Sequence, residues 1–281
     1  MKEVAAAVWS ALWSAVASWA REWWRPLRAA FAFLTRLPVG GGSGRDPVAG
    51  HPASEAVTAD DLARSVIFFP VVGLVLGLVV AGVGWLHVVG ILPASIAAAL
   101  VVVALALLTG GLHLDGVADL FDGLAGGRGE RERTLRIMRD SRVGAAGALA
   151  LVLVVSLKLA ALRELLERRE LLALVAFPAV ARWAVIPQLA FFGYARPEGL
   201  GRVFRGRIAR TPLAAQSILL AAAAVRLGHG LGLEVVAALV VSLGMGTWLD
   251  RRLGGLTGDV YGATIELCET AALVVAAAVV T

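Results

Sequence analysis

The segment GGLHLDGVADLFDGLAGG, residues 110 to 127, sets Asp115, Asp119 and Asp122 at the end of a long apolar run, with His113 just before them. A spacing of i, i+4, i+7 puts three carboxylates within roughly a 60° arc of one helix, about 6 Å and then about 4.5 Å apart along its axis. Like charges so placed repel and destabilise the helix. A cation among them relieves the repulsion, and hard carboxylate oxygens favour Mg²⁺, above all where a phosphate completes its shell. Asp115, Asp119 and Asp122 are therefore the expected metal ligands. Gly116 and Gly123 remove side chains beside them, and Gly110, Gly111, Gly126 and Gly127 bracket the segment, so a bulky ligand can approach the backbone. His113 reads as a ligand, a proton carrier or a polar residue at an interface. The competing reading of the acids is a solvated helix end just past an apolar span.

A second acidic set lies in GGLTGDVYGATIELCET: Asp259 in a glycine-rich turn, then Glu266 and Glu269 inside an apolar stretch. Ionisable groups within a span are costly and are functional candidates by default. The alternative is an internal ion pair with Lys158 or Arg182, which also fall within apolar runs. Arginines complete the pattern. RTLRIMRDSRVGAAG carries Arg133, Arg136, Arg139 and Arg142 beside Asp140, and RPEGLGRVFRGRIAR carries Arg196 next to Glu198, Gly199 and Gly201. Guanidinium forks suit phosphate oxygens, although anchoring at a membrane face explains many of these arginines without a ligand. The substrate-binding candidates are Arg139, Arg142, Arg196, Glu198, Asp259, Glu266 and Glu269. Asp122, His113 and Asp140 are the candidates for moving a proton. The chemistry that fits is displacement at phosphorus: Mg²⁺ neutralises a diphosphate, arginines hold non-bridging oxygens, and a carboxylate or His113 takes a proton from an alcohol.

The elements that must position these groups are apolar. Of 281 residues, 59% are hydrophobic and only 17% charged, and mean hydropathy is +0.80. Soluble domains are nearer half apolar and a quarter charged, so an integral membrane protein is expected, an all-α polytopic bundle forming one domain over residues 28–281. Hydropathy predicts about seven spans: 66–89, 96–112, 143–162, 171–192, 212–225, 231–249 and 263–280. With the N-terminus inside, 20 of the 26 lysines and arginines fall on cytoplasmic segments and four, Arg163, Arg168, Arg169 and Arg226, on external ones. That bias accounts for the net charge of +5 and argues against nucleic acid. It points to the cytoplasmic membrane, with the site facing the cytoplasm. One cysteine, Cys268, permits no intrachain disulfide.

Residues 1–27 form a tryptophan-rich extension (Trp9, Trp13, Trp19, Trp23, Trp24), expected to be an interfacial helix rather than a cleaved signal, with a true span as the alternative. Residues 39–61 are a Gly/Pro/Ser-rich linker ending in a helix start at Thr58 with acids in the first turn.

Taken together, FLTRLPV (33–39), ARSVIFFPVVGLVLG (63–77), TGGLHLDGVADLFDG (109–123), RIMRDSRVGAAGALAL (136–151), EGLGRVF (198–204) and RRLGGLTGDVYGATIELCE (251–269) resemble the cobalamin synthase family, the adenosylcobinamide-GDP ribazoletransferases, in the family's order over residues 28–272. The tryptophan-rich start falls outside the resemblance, and Leu120 and Phe121 stand where the family often has smaller residues. The resemblance implies a Mg²⁺-dependent membrane enzyme. It would join adenosylcobinamide-GDP to α-ribazole or its 5′-phosphate, a ribose hydroxyl attacking the phosphate next to cobinamide with release of GMP. The implied partners are those small molecules and the lipid bilayer, with a homo-oligomer as an option. Two other readings stand beside it. The acids are loosely similar to those of CDP-alcohol phosphotransferases, but Asp119 and Leu120 stand where that motif has alanine and arginine. An ion-coupled secondary transporter would also use intramembrane acids, though no related halves are visible.

Overall fold

The computed structural model describes residues 22–39, 58–204, 208, 210–227 and 229–279, together with Trp9, Trp13 and Ser14. Most of the tryptophan-rich extension and nearly all of the 39–61 linker lie outside the described residues. Among those described, every regular element is helical, and the only strand-like contact is a single parallel bridge between Tyr194 and Leu256.

Helix α1 covers residues 22–34. The linker ends at Thr58, whose hydroxyl accepts from the Asp61 amide (3.1 Å) while the Asp61 carboxylate accepts from the Thr58 amide (3.0 Å). This reciprocal cap starts α2 (Ala59–Ser65), which runs through a 3₁₀ turn (Val66–Phe68) into α3 (Phe69–Val88). There follow α4 (Ala94–Thr109), α5 (Leu112–Gly127), α6 (Arg131–Ile137), α7 (Ala145–Glu167), α8 (Leu171–Ala184) and α9 (Ile186–Phe191). A second 3₁₀ turn (Leu200–Phe204) leads to α10 (Arg210–Leu227), α11 (His229–Leu253) and α12 (Gly258–Val279).

Among the described residues, five helical segments are long and apolar enough to cross a membrane: Ala59–Val88, Ala145–Glu167, Leu171–Phe191, Gly230–Leu253 and Gly258–Val279. Helices α4 and α5 qualify only as a pair, and they are bent by 89°. Gly110 (φ 62°) and Gly111 (φ 70°) make that corner, two successive left-handed residues that only glycine adopts at little cost. The bend takes α5 out of line with α4, and α5 by itself is not among the five qualifying segments. The expected count of about seven is not confirmed: among the described residues five segments qualify, or six with the bent pair. The apolar part of α10, Leu213–Ala224, is shorter than the roughly 20 residues a crossing requires. The all-α, multi-pass architecture itself stands.

Small residues set the packing. A Cβ on Gly73 would strike the Pro178 carbonyl oxygen, and one on Gly77 that of Val175, so α3 and α8 touch backbone to backbone. Inside the bundle, Lys158 of α7 donates to Glu266 and, at 2.6 Å, to Glu269 of α12. Arg182 of α8 donates to Glu269 at 2.7 Å. The two cations and two carboxylates are almost wholly buried and neutralise one another, the condition for charge to persist at low dielectric. Gln188 and Thr264 add a further tie, Gln188 donating to the Ser242 carbonyl and accepting from Thr264.

Candidate functional site

The site forms where α5 meets the start of α12. A Cβ on Gly116 would come within 2.6 Å of the Asp259 carbonyl oxygen and 3.0 Å of the Ala263 nitrogen. Any side chain there would push α12 away, so Gly116 sets the distance between the α5 aspartates and Asp259. On this side of α5, Asp115 is exposed and Asp119 half-buried.

A strap over residues 193–199 brings in an arginine from far along the chain. Ala195 donates to the Leu256 carbonyl and Leu256 to that of Gly193, both at 2.8 Å. Gly255 (φ 139°) allows the contact, since a Cβ there would lie 2.6 Å from the Ala195 nitrogen. The strap delivers Arg196 to Asp259, with Nη2 donating to Oδ2 at 2.7 Å. The Nε of Arg196 is buried and has no hydrogen-bond partner. A buried guanidinium N–H left open beside ionisable carboxylates is a donor awaiting an acceptor.

The electrostatics of Asp119 reflect this setting. Burial, then the charges of Asp115 and Asp259, push its carboxyl up to about 7, against the pull of Arg196. The like charges predicted from helix spacing are therefore felt, with a contribution from α12 that spacing along one helix cannot reveal.

Asp122 departs from the expected metal set. Its Oδ2 accepts from the Gly144 amide at 2.6 Å and its Oδ1 from Gly147 at 2.8 Å. It caps the N-terminus of α7, where backbone N–H groups lack partners and the helix dipole favours negative charge. Among the described residues, no three His, Cys, Asp or Glu side chains are grouped to hold a metal. Asp115 and Asp119 remain as a carboxylate pair, and Mg²⁺ is commonly bound by one or two carboxylates with substrate phosphates completing its shell. That donor set fits the ion.

The other candidates separate into distinct places. His113 is buried, and its Nε2 has no partner. It lines a cavity of about 10 Å³ with Thr109, Lys158, Glu266 and Glu269. His113, Glu266 and Glu269 thus belong to the interior polar cluster, while Asp259 belongs with Arg196, Asp115 and Asp119. The glutamates take the internal ion pairing that stood as their alternative. Asp140 is held by its neighbour: Arg142 donates through Nη2 (2.7 Å), Nε (3.0 Å) and its amide (3.1 Å). These contacts lower the Asp140 carboxyl to about 2. Arg139 and Glu198 are exposed. Arg131, not singled out from sequence, donates to the Ala195 carbonyl at 3.3 Å and steadies the strap. Nothing in its local sequence marks it out from the other arginines nearby.

The match to known proteins is decisive at this point. The family model for cobalamin-5-phosphate synthase matches residues 26–277. This chain belongs to that family. Among curated members of the synthase family, the protein of Roseiflexus sp. (strain RS-1) is 40% identical over 259 residues, covering 90% of each chain. That of Geotalea daltonii is 41% identical, covering 89% of this chain and 96% of its own. That of Pseudomonas entomophila is also 41% identical, covering 89% and 97%. All three are named adenosylcobinamide-GDP ribazoletransferase. No solved structure matches the chain.

Proposed function

We propose that this membrane protein is a transferase that joins adenosylcobinamide-GDP to α-ribazole or its 5′-phosphate, releasing GMP. A hydroxyl oxygen of the ribose forms a bond to the phosphorus next to cobinamide. The bond from that phosphorus to the GMP oxygen breaks, GMP leaves with the electron pair, and the hydroxyl proton is released. The observation that carries the reading is the open Nε of Arg196, buried beside Asp259 and the Asp115–Asp119 pair. An anion donor next to a carboxylate pair is the arrangement a metal-chelated diphosphate requires.

Asp115 and Asp119 are the residues that would hold Mg²⁺, which when bound supplies charge neutralisation for the diphosphate. Arg196 binds a non-bridging oxygen and is itself held in place by Asp259. Asp122 contributes by fixing α7 against α5. The arginine-bearing segments around α6, the strap and the α11–α12 turn gather at this end of the bundle, as the contacts Arg131–Ala195 and Arg196–Asp259 require. By the positive-inside bias this end faces the cytoplasm, where a nucleotide substrate is available.

The test is direct. Membranes containing the protein are incubated with adenosylcobinamide-GDP, α-ribazole and Mg²⁺. Release of GMP with formation of a cobalamin product is expected. Release of CMP from a CDP-lipid would instead favour the CDP-alcohol reading, and substrate movement without nucleotide consumption would favour a transporter.

A further inference from the structure

A second site lies on the flank of the bundle. Between α5, α7 and α11 runs a groove of about 490 Å³, lined by Phe121, Leu124, Leu149, Leu153, Trp248 and Arg252 among others. This lies within the range of small-molecule pockets. Its walls are apolar apart from the indole N–H of Trp248 and the guanidinium of Arg252. Leu149, Leu153 and Trp248 are each about half exposed or more, and they sit on helices that qualify as membrane crossings. The groove therefore opens sideways, toward acyl chains rather than water.

Arg252 stands in the last turn of α11, one turn beyond Trp248, with Cζ 5.5 Å from the indole centroid. Tryptophan is the residue of the headgroup level, and an arginine beside it reaches the same level while its stem stays on apolar surface. Among the described residues no carboxylate is paired with Arg252. An unpaired guanidinium at the headgroup end of a lateral apolar groove complements an anionic lipid headgroup. Basic pockets between spanning helices are recurrent sites for such lipids.

We infer that this groove holds one acyl chain of an anionic phospholipid whose headgroup phosphate meets Arg252. The bound lipid would pack against Phe121 and Leu124, on the flank of the helix that carries the aspartates. The inference is independent of the reaction proposed above.

The experiment is native mass spectrometry of the full-length protein released from micelles containing equal phosphatidylglycerol and phosphatidylcholine. The wild type should retain one phosphatidylglycerol in preference to phosphatidylcholine. Arg252→Gln should bring the two to parity, and Ala146→Phe, which fills the groove, should lose the retained lipid. Quenching of tryptophan fluorescence by chain-brominated phosphatidylglycerol gives a second reading, in which Trp248→Phe should remove a distinct quenched fraction. No retained lipid in the wild type would overturn the inference. So would an unchanged lipid preference in Arg252→Gln, or a lipid-free dimer that occupies this face.

Discussion

Asp122 caps a helix whose N-cap residue lies 22 positions later: its carboxylate accepts the amide of Gly144 at 2.6 Å and that of Gly147 at 2.8 Å. The two glycines are what permit it, because a Cβ on either would crowd the same carboxylate. Gly147→Ala should therefore cost about 1–3 kcal/mol through overpacking, and Asp122→Ala about 1 kcal/mol through loss of the cap. Since both disrupt one contact, the double variant should be less destabilised than the sum. Thermal unfolding in detergent reads all three. Full additivity would mean that the contact is not shared.

Asp119 makes a prediction about pH in metal-free protein. Its carboxyl is raised to about 7 in the fold from an ordinary value near 3.8. The associated stability is complete below pH ~4 and is lost as pH rises through 7. Asp119→Asn should then be more stable than wild type at pH 8 without Mg²⁺, and the gap should narrow when Mg²⁺ is added. The same variant should lose Mg²⁺-dependent GMP release by about 100-fold or more. A variant less stable than wild type at pH 8 would contradict the electrostatic account.

Arg196→Ala should remove the phosphate donor and leave Asp259 without its partner. Turnover should fall by about 10²–10³-fold, as when one preorganised donor is deleted from a site. Arg196→Ala/Asp259→Asn should regain stability, because no uncompensated charge remains, but not turnover. Recovery of activity in the double variant would reduce Arg196 to a structural partner of Asp259.

Glu269 accepts from both Lys158 and Arg182. Glu269→Gln should leave excess buried positive charge and destabilise the bundle by about 3–5 kcal/mol. Glu266→Gln, which breaks only the Lys158 contact, should be milder. The yield of folded, detergent-extractable protein should rank wild type, Glu266→Gln, Glu269→Gln. Equal yields would show that the network tolerates the loss of either charge.

Much of this was legible from local pattern. Apolar run lengths reveal a membrane bundle, Gly73 and Gly77 mark a close helix contact, Thr58 and Asp61 mark a helix start, and three aspartates share one face. Each depends on a helical repeat or on a neighbour within four residues, and covalent geometry dictates such relations wherever the helix forms. The number of crossings was less legible, because hydropathy does not report that two left-handed glycines turn α4 by 89° into α5.

What only the tertiary structure decided is the assignment of the charges to partners. Sequence alone determined that Asp115, Asp119 and Asp122 line one side of α5. It could not determine that Asp122 would be taken by the amides of α7, or that Arg196 would reach Asp259 across 63 residues. Nor could it choose, for Glu266 and Glu269, between a substrate and the interior cations. Each outcome depends on which helix flanks come within hydrogen-bond reach. Backbone contacts at glycines such as Gly116, Gly147 and Gly255 set those distances, and a buried charge takes the partner they bring near, because low dielectric makes an unpaired one too costly.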